Sequence, residues 1–198
     1  LRESREEVAF YKNLDTAPAP VLSPQEALAA FRTAPGFEIE LVAAEPLVED
    51  PVAMAWDEYG RLYVVEMRGY MPDAYGTGSE EPVGQVVRLE DTDGDGRMDS
   101  SEVFLGHLIN PRAVAVVNEG VLIGEPPNLW LCTMPSKDAL CDQKRSVGGY
   151  AHGSEAANVE HMENRLLPGL DNWLYNAKSK RRLRLVNGVL EESFGPYR

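Results

Sequence analysis

The pattern of apolar and polar positions changes character once along the chain, near residue 35. Before that point the residues spell a short helix. Ser23 is a natural N-cap, Pro24 suits the first helical position, and Glu26 completes an S-x-x-E capping box. Ala27 to Phe31 continue the helix, and Pro35-Gly36 stops it. Further upstream, Arg2 to Leu14 could form another short helix, and the Pro-Ala repeat at 17–20 reads as a linker. After Gly36 the apolar runs become short and β-rich. Phe37 to Leu41 alternates at period two, which predicts a half-buried strand. Val52–Trp56 and Leu62–Val65 form a hairpin about a turn at Asp57–Gly60. The unit recurs as Ala113–Val117 and Val121–Ile123 about Asn118–Gly120, and again as Leu166-Leu167 and Trp173–Tyr175 about Asp171-Asn172. A last hairpin joins Arg184–Val186 to Val189-Leu190 through Asn187-Gly188, the strongest two-residue hairpin signal.

The turns at Gly60, Gly120 and Asn172 lie 60 and 52 residues apart. Short strands recurring on that scale predict an all-β chain built as a β-propeller, with a β-sandwich of irregular hairpins as the alternative. The expected organisation is a lead-in with a short helix over residues 1–34 and a partial propeller over 35–198. After the lead-in there is room for about three blades, and propellers need at least four. The expectation is therefore an N-terminal portion that continues beyond the chain, with the remainder of the propeller as its first partner.

Residues 91–102 read Asp-Thr-Asp-Gly-Asp-Gly-Arg-Met-Asp-Ser-Ser-Glu and meet the pattern D-x-[DN]-x-[DN]-G-x5-E in full. Asp91, Asp93 and Asp95 place hard carboxylate oxygens on one side of a tight loop, and Gly96 allows the sharp turn. Arg97 would contribute its backbone carbonyl, Asp99 would ligate directly or through water, and Glu102 can supply two oxygens. The expected ion is calcium, because magnesium wants a smaller octahedral site and keeps its waters. Gln85–Leu89 before the loop and Val103–Leu105 after it both read as extended, so the loop would clip two strands rather than join two helices.

Charge narrows the field. The formal net charge is −13, so no general excess of Lys and Arg is available for nucleic-acid phosphates. No apolar run reaches membrane-spanning length. Cys132 and Cys141 fit neither C-x-x-C nor C-x-x-C-H; they read as a local disulfide in an oxidising compartment, or as two buried or free thiols.

Several longer stretches carry a family resemblance: Pro35–Pro46, Asp50–Asp57, Gly60–Tyr70, the Asp-rich loop, Asn158–His161 and Gly169–Asn176. Over about residues 22–190 the chain resembles bacterial membrane-bound dehydrogenases similar to L-sorbosone and soluble glucose dehydrogenases. The resemblance implies a six-bladed propeller of a periplasmic or secreted protein, with pyrroloquinoline quinone as cofactor and a sugar or alcohol as substrate. It also implies a cytochrome c as electron acceptor, which would lie outside these residues. Many relatives carry a second Asp-rich loop where this chain has Cys132–Cys141, so a covalent clip would stand in for a metal clip.

His161 lies in a segment similar to the one that places the catalytic histidine of soluble glucose dehydrogenases. It reads either as a general base or as a histidine bonded to a neighbouring loop. Residues 178–184 hold the one basic cluster, including Arg181 and Arg182. These read either as charges guarding an exposed edge strand or as cations for the quinone carboxylates. Trp56, Trp130 and Trp173 read as core. The two function classes left open are a quinone-dependent oxidoreductase and a propeller that serves only as a binding or assembly module.

Overall fold

The computed structural model describes residues 20–73, 75–136, 138–151 and 161–195. The helix expected at Arg2–Leu14, and the stretch Asn158–Glu160, lie outside the described residues. The chain divides into two compact units, Leu1–Leu41 and Val42–Arg198.

In the first unit the capping box forms as spelled. Helix α1 spans Pro24–Ala30; Ser23 Oγ accepts from Glu26 N at 3.3 Å, and Glu26 Oε2 accepts from Ser23 N at 2.8 Å. Bonds from the Ser23 hydroxyl and then its backbone hold the Glu26 carboxyl below its ordinary range. The helix ends when Phe31 becomes extended, ahead of Pro35. Phe37–Leu41 is not a strand. A period-two pattern sorts side chains onto faces but supplies no neighbour, and among the described residues no strand pairs with this segment.

The second unit is all-β. Its strands are β1 (Pro51–Trp56), β2 (Leu62–Glu66), β3 (Gly84–Glu90), β4 (Ser100–Leu108), β5 (Ala113–Val117), β6 (Gly120–Glu125), β7 (Asn128–Thr133), β8 (Gln143–Gly149), β9 (Asn164–Pro168), β10 (Leu174–Ala177), β11 (Arg181–Val186) and β12 (Val189–Phe194). They form three four-stranded antiparallel meanders: β1-β2-β3-β4, β5-β6-β7-β8 and β9-β10-β11-β12. No helix among the described residues is long and apolar enough to cross a membrane.

The sheets are layered, with β5 contacting both β1 and β9. Tyr63, Val65, Val86, Phe104 and Leu108 of the first sheet pack on Val114, Val121 and Ile123 of the second. From the other face of the second sheet, Ala113, Ala115, Leu122, Leu129 and Leu131 pack on Leu166, Leu174 and Leu183 of the third. The middle sheet is thus covered on both faces, which is why Ala113–Val117, Val121–Ile123 and Leu129–Cys132 are unbroken apolar runs rather than alternating ones. On its outward face the first sheet buries Leu62, Val64, Val87 and Leu89 beneath Val42, Ala43, Leu47 and Val48. That cover stops short of β1. Val52, Met54 and Trp56 stay exposed, Trp56 to 51%, so the expectation that Trp56 is core is corrected. Trp130 is partly buried against the core, and its Nε1 donates to Glu125 Oε2 at 2.6 Å. The guanidiniums of Arg182 and Arg184 both lie over Trp173, 4.7 and 4.6 Å from its ring centre.

Neighbours on the second sheet itself leave no room at Gly124. A Cβ there would lie 2.7 Å from Tyr150 Cε1 and 2.9 Å from Ala113 Cβ. Gly124→Ala is expected to destabilise the fold by about 1–3 kcal/mol through overpacking, read as a lower urea midpoint at unchanged slope.

Cys132 and Cys141 form a disulfide, with Cα atoms 5.3 Å apart. The closed loop reaches across to the first sheet: Arg88 donates to the carbonyls of Ala139 and Asp138, each at 3.0 Å, and Cys141 N donates to Phe104 O at 3.3 Å. Loop-closure entropy values this bridge at about 2.5–3 kcal/mol. Replacing both cysteines by serine is expected to lower stability by that amount in urea denaturation. Thiol labelling of the unmutated protein, denatured without reductant, should find no free cysteine.

Candidate functional site

The strands give the second unit two distinct ends. One carries the β2–β3, β4–β5, β6–β7, β8–β9 and β10–β11 connections, and is called the upper end. Hydrogen bonds tie this end together: Arg165 N at the start of β9 donates to Arg112 O at 3.2 Å, and Asn110 Nδ2 donates to Ser79 O at 3.0 Å. The lower end carries the Asp-rich loop, the disulfide loop and the Asn187-Gly188 turn.

The Asp-rich loop links β3 to β4. Asp91 organises it: its Oδ1 accepts from Gly94 N at 2.7 Å and its Oδ2 from Gly96 N at 2.8 Å. Both glycines have left-handed backbones, φ +80° and +90°, which only glycine adopts without strain. Asp93 Oδ1 accepts from Asp95 N at 3.1 Å, and Asp95 Oδ1 from Arg97 N at 2.8 Å. Asp99 Oδ2 accepts from the backbone and hydroxyl of Thr92 at 2.7 and 2.8 Å, and these bonds hold its carboxyl below the ordinary range. Met98, buried on Leu62 and Leu89, anchors the loop, and its N–H donates to Val42 O at 2.8 Å.

Carboxylate oxygens of Asp91, Asp93 and Asp99 lie within 4.8 Å of one another. Hard oxygens brought this close repel unless a cation sits among them, and an all-oxygen donor set suits calcium. Asp95 and Glu102 are not in that group. Glu102 stands on β4 opposite Arg88 and forms an ion pair with it. Arg97 is exposed on the loop.

At the upper end His161 is exposed, and its Nδ1 lies 2.8 Å from Lys178 Nζ. Arg181 and Arg182 do not act together, because neighbouring strand residues face opposite sides. Arg181 turns inward, 4% exposed. There it donates to Gly149 O at 2.9 Å and Glu192 Oε1 at 3.0 Å, with Glu163 at 3.8 Å. Arg182 lies on the outward face of β11, paired with Asp171 at 3.4 Å and stacked on Trp173. Arg181 is sealed by its own partners and Arg182 faces the other side of the sheet, so the two do not form one clamp for a quinone carboxylate.

Sequence reasoning missed the polar groups buried nearby: Asn110 and Arg112 on the β4–β5 connection, Glu163 ahead of β9, and Asn176 on β10. Only the Asn110-Pro111-Arg112 break before an apolar run hints at them. Burial pushes the Arg112 guanidinium down and the Tyr150 phenol up. A cleft of about 270 Å³ opens here, lined by Glu80, Asn110, Arg112, Pro126, Pro127 and Met162. A larger groove, about 530 Å³, lies at the lower end between the second and third sheets. Its charged residues are already engaged: Glu119 Oε1 accepts from Gly188 N at 3.4 Å, and Arg184 Nε donates to Glu191 at 3.1 Å.

Residues 23–193 match the model of DUF7133, a domain of unknown function. The chain belongs to the DUF7133 family. A search of the curated proteins returns no match. Among solved structures, the DUF7133 chain is similar to a crystal structure of a protein from Lactobacillus plantarum, a structural-genomics target, at 16% identity and a TM-score of 0.42. The likeness covers 77% of this chain and 42% of that one, so the DUF7133 chain spans less than half the length of the protein it matches.

Proposed function

We propose that this chain is the calcium-binding part of a β-propeller oxidoreductase, exported to the periplasm or outside the cell, that oxidises a sugar or alcohol with a quinone cofactor. The observation that carries the calcium half is the meeting of Asp91, Asp93 and Asp99 within 4.8 Å, on a loop whose sequence fits calcium position by position. The layered meanders, with β1, β5 and β9 as neighbouring first strands, support the propeller reading. The bare apolar row Val52, Met54 and Trp56 is where a further blade would pack. The disulfide suits an oxidising compartment.

The oxidoreductase half is supported by the dehydrogenase-like motifs and by His161, exposed at the end of the sheets opposite the calcium loop. Pyrroloquinoline quinone would accept the hydride, and a cytochrome c would take the electrons onward. Arg181 and Arg182 are not assigned to the cofactor, for the geometric reasons given above. The alternative is a non-catalytic binding or assembly module, and the sealed position of Arg181 favours it. Reconstitution with calcium and quinone separates the two. A cofactor absorbance band with turnover of a sugar or alcohol by an artificial acceptor supports the enzyme; no band and no turnover leave the module.

A further inference from the structure

We propose that Glu102, the last position of the calcium motif, serves Arg88 instead of the ion, and that the pair clamps the disulfide loop onto the first sheet. Arg88 on β3 stands directly opposite Glu102 on β4. Its side chain is 4% exposed, against 48% for Glu102. Arg88 Nη1 donates to Ala139 O and Nη2 to Asp138 O, each at 3.0 Å, and Nη2 also donates to Glu102 Oε1. Glu90 Oε1 lies 3.5 Å from Arg88 Nε, and that N–H makes no hydrogen bond among the described residues. Glu102 is therefore the one carboxylate among them that is hydrogen-bonded to this buried cation. To reach an ion it would have to leave Arg88, and a buried charge stripped of its bonded partner is strongly destabilising.

The calcium loop bears this out at its own end. The twelfth position of such a loop supplies two oxygens, and here Oε1 is taken by Arg88. The pairs Arg88–Glu102 and Val87–Val103 hold the residue in the β3–β4 ladder. Asp91, Asp93 and Asp99 gather without it, and waters or backbone carbonyls commonly complete such a sphere. The other end of the clamp is the ring closed by Cys132 and Cys141, which contains both carbonyls that Arg88 holds. Two further ties come from the same sheet. Cys141 N donates to Phe104 O, two residues beyond Glu102, at 3.3 Å, and Asp138 Oδ1 lies 3.6 Å from Arg61 Nη1. Cys132 is buried and Cys141 partly so, and a reducing thiol reaches the bridge more readily when this loop lifts. The strand that leaves the calcium loop thus guards the disulfide. The exclusion of Glu102 from the ion rests on the calcium reading above; the clamp rests on its own bonds.

The test uses the full chain, oxidised and freed of calcium by chelator, as unmutated protein, Glu102→Gln and Asp93→Ala. Glu102 is half-exposed, so its amide isostere keeps the fold. Calcium titration by calorimetry should find no binding in Asp93→Ala. Glu102→Gln should stay within about tenfold of the unmutated affinity, because a charge lost outside the sphere acts only through space. A larger loss puts Glu102 on the ion and overturns the proposal. The same calcium-free samples are then reduced with dithiothreitol, quenched by alkylation and read by mass. Reduction should run about tenfold faster in Glu102→Gln, the worth of one charge-assisted hydrogen bond, and at the unmutated rate in Asp93→Ala. An unchanged rate in Glu102→Gln overturns the clamp. So does an equal rise in Asp93→Ala, which would mark a general loosening of the fold. Calcium binding by none of the three proteins sinks the calcium reading, and the clamp then stands or falls on the reduction rates.

Discussion

Chelation of calcium is expected to lower the melting temperature of this protein by about 8–16 °C. The figure follows from linkage: a ligand held by the folded state alone, at a thousand times its dissociation constant, stabilises by about 4 kcal/mol, and each kcal/mol moves the midpoint of a domain this size by about 2–4 °C. The loop is built for the effect. Asp91, Asp93 and Asp99 are gathered before any ion is considered, through backbone bonds to Gly94, Gly96, Asp95 and Thr92. Without a cation their mutual repulsion opposes the fold; with one it becomes attraction. Asp93→Ala should lower the midpoint to a similar value and abolish the response to chelator, because the site has lost a central oxygen. Magnesium should restore little of the loss, since it keeps its waters and tolerates the geometry poorly. Differential scanning calorimetry with and without chelator decides the matter; identical melts, with no calcium recovered by elemental analysis, would refute the site.

Much of this architecture was legible because it is local. The capping box at Ser23 and Glu26, the hairpin turns at Gly60, Gly120 and Asn187-Gly188, and the Asp-rich loop each depend on residues within one turn of the chain. What escaped reading depends on residues brought from afar. Phe37–Leu41 has strand periodicity but, among the described residues, no strand to pair with. β8 pairs with β7 along its length, yet Gln143–Gly149 has almost no apolar face, because it is an outer strand with little left to bury. Trp56 looks like core by composition and is bare because the cover over the first sheet ends at Val48. The upper-end cleft is the extreme case: Glu80, Asn110, Pro127 and Met162 come from four separate connections. Arg181 and Arg182 show the converse error. They are adjacent in sequence and read as one cationic patch, but the pleat of β11 sends one into the layer and the other away from it.

On the proposed oxidoreductase reading, His161→Ala is expected to reduce turnover of the quinone-reconstituted protein by about 10²–10⁴-fold, the usual worth of a positioned general base. Oxidising a carbinol requires its hydroxyl proton to leave as the hydride departs, and a neutral imidazole accepts that proton well. The structure adds a condition the sequence did not suggest. Lys178 Nζ lies 2.8 Å from His161 Nδ1, and an ammonium can only donate. A neutral ring held this way accepts at Nδ1 and keeps its own proton on Nε2, so it has no free lone pair. For His161 to work as the base, Lys178 must release Nδ1 when the substrate hydroxyl arrives. Both side chains are exposed, so the exchange breaks a solvated contact rather than a buried one and costs little. Lys178→Ala should therefore leave turnover unchanged or raise it, while His161→Ala lowers it. Neither substitution should alter the response of the melt to chelator, because the Asp-rich loop sits at the other end of the sheets. Assay with an artificial acceptor across a panel of sugars and alcohols provides the test. Undiminished turnover in His161→Ala would remove the residue from the chemistry. A loss in Lys178→Ala as deep as that in His161→Ala would make the pair a structural tether rather than a base and its competitor.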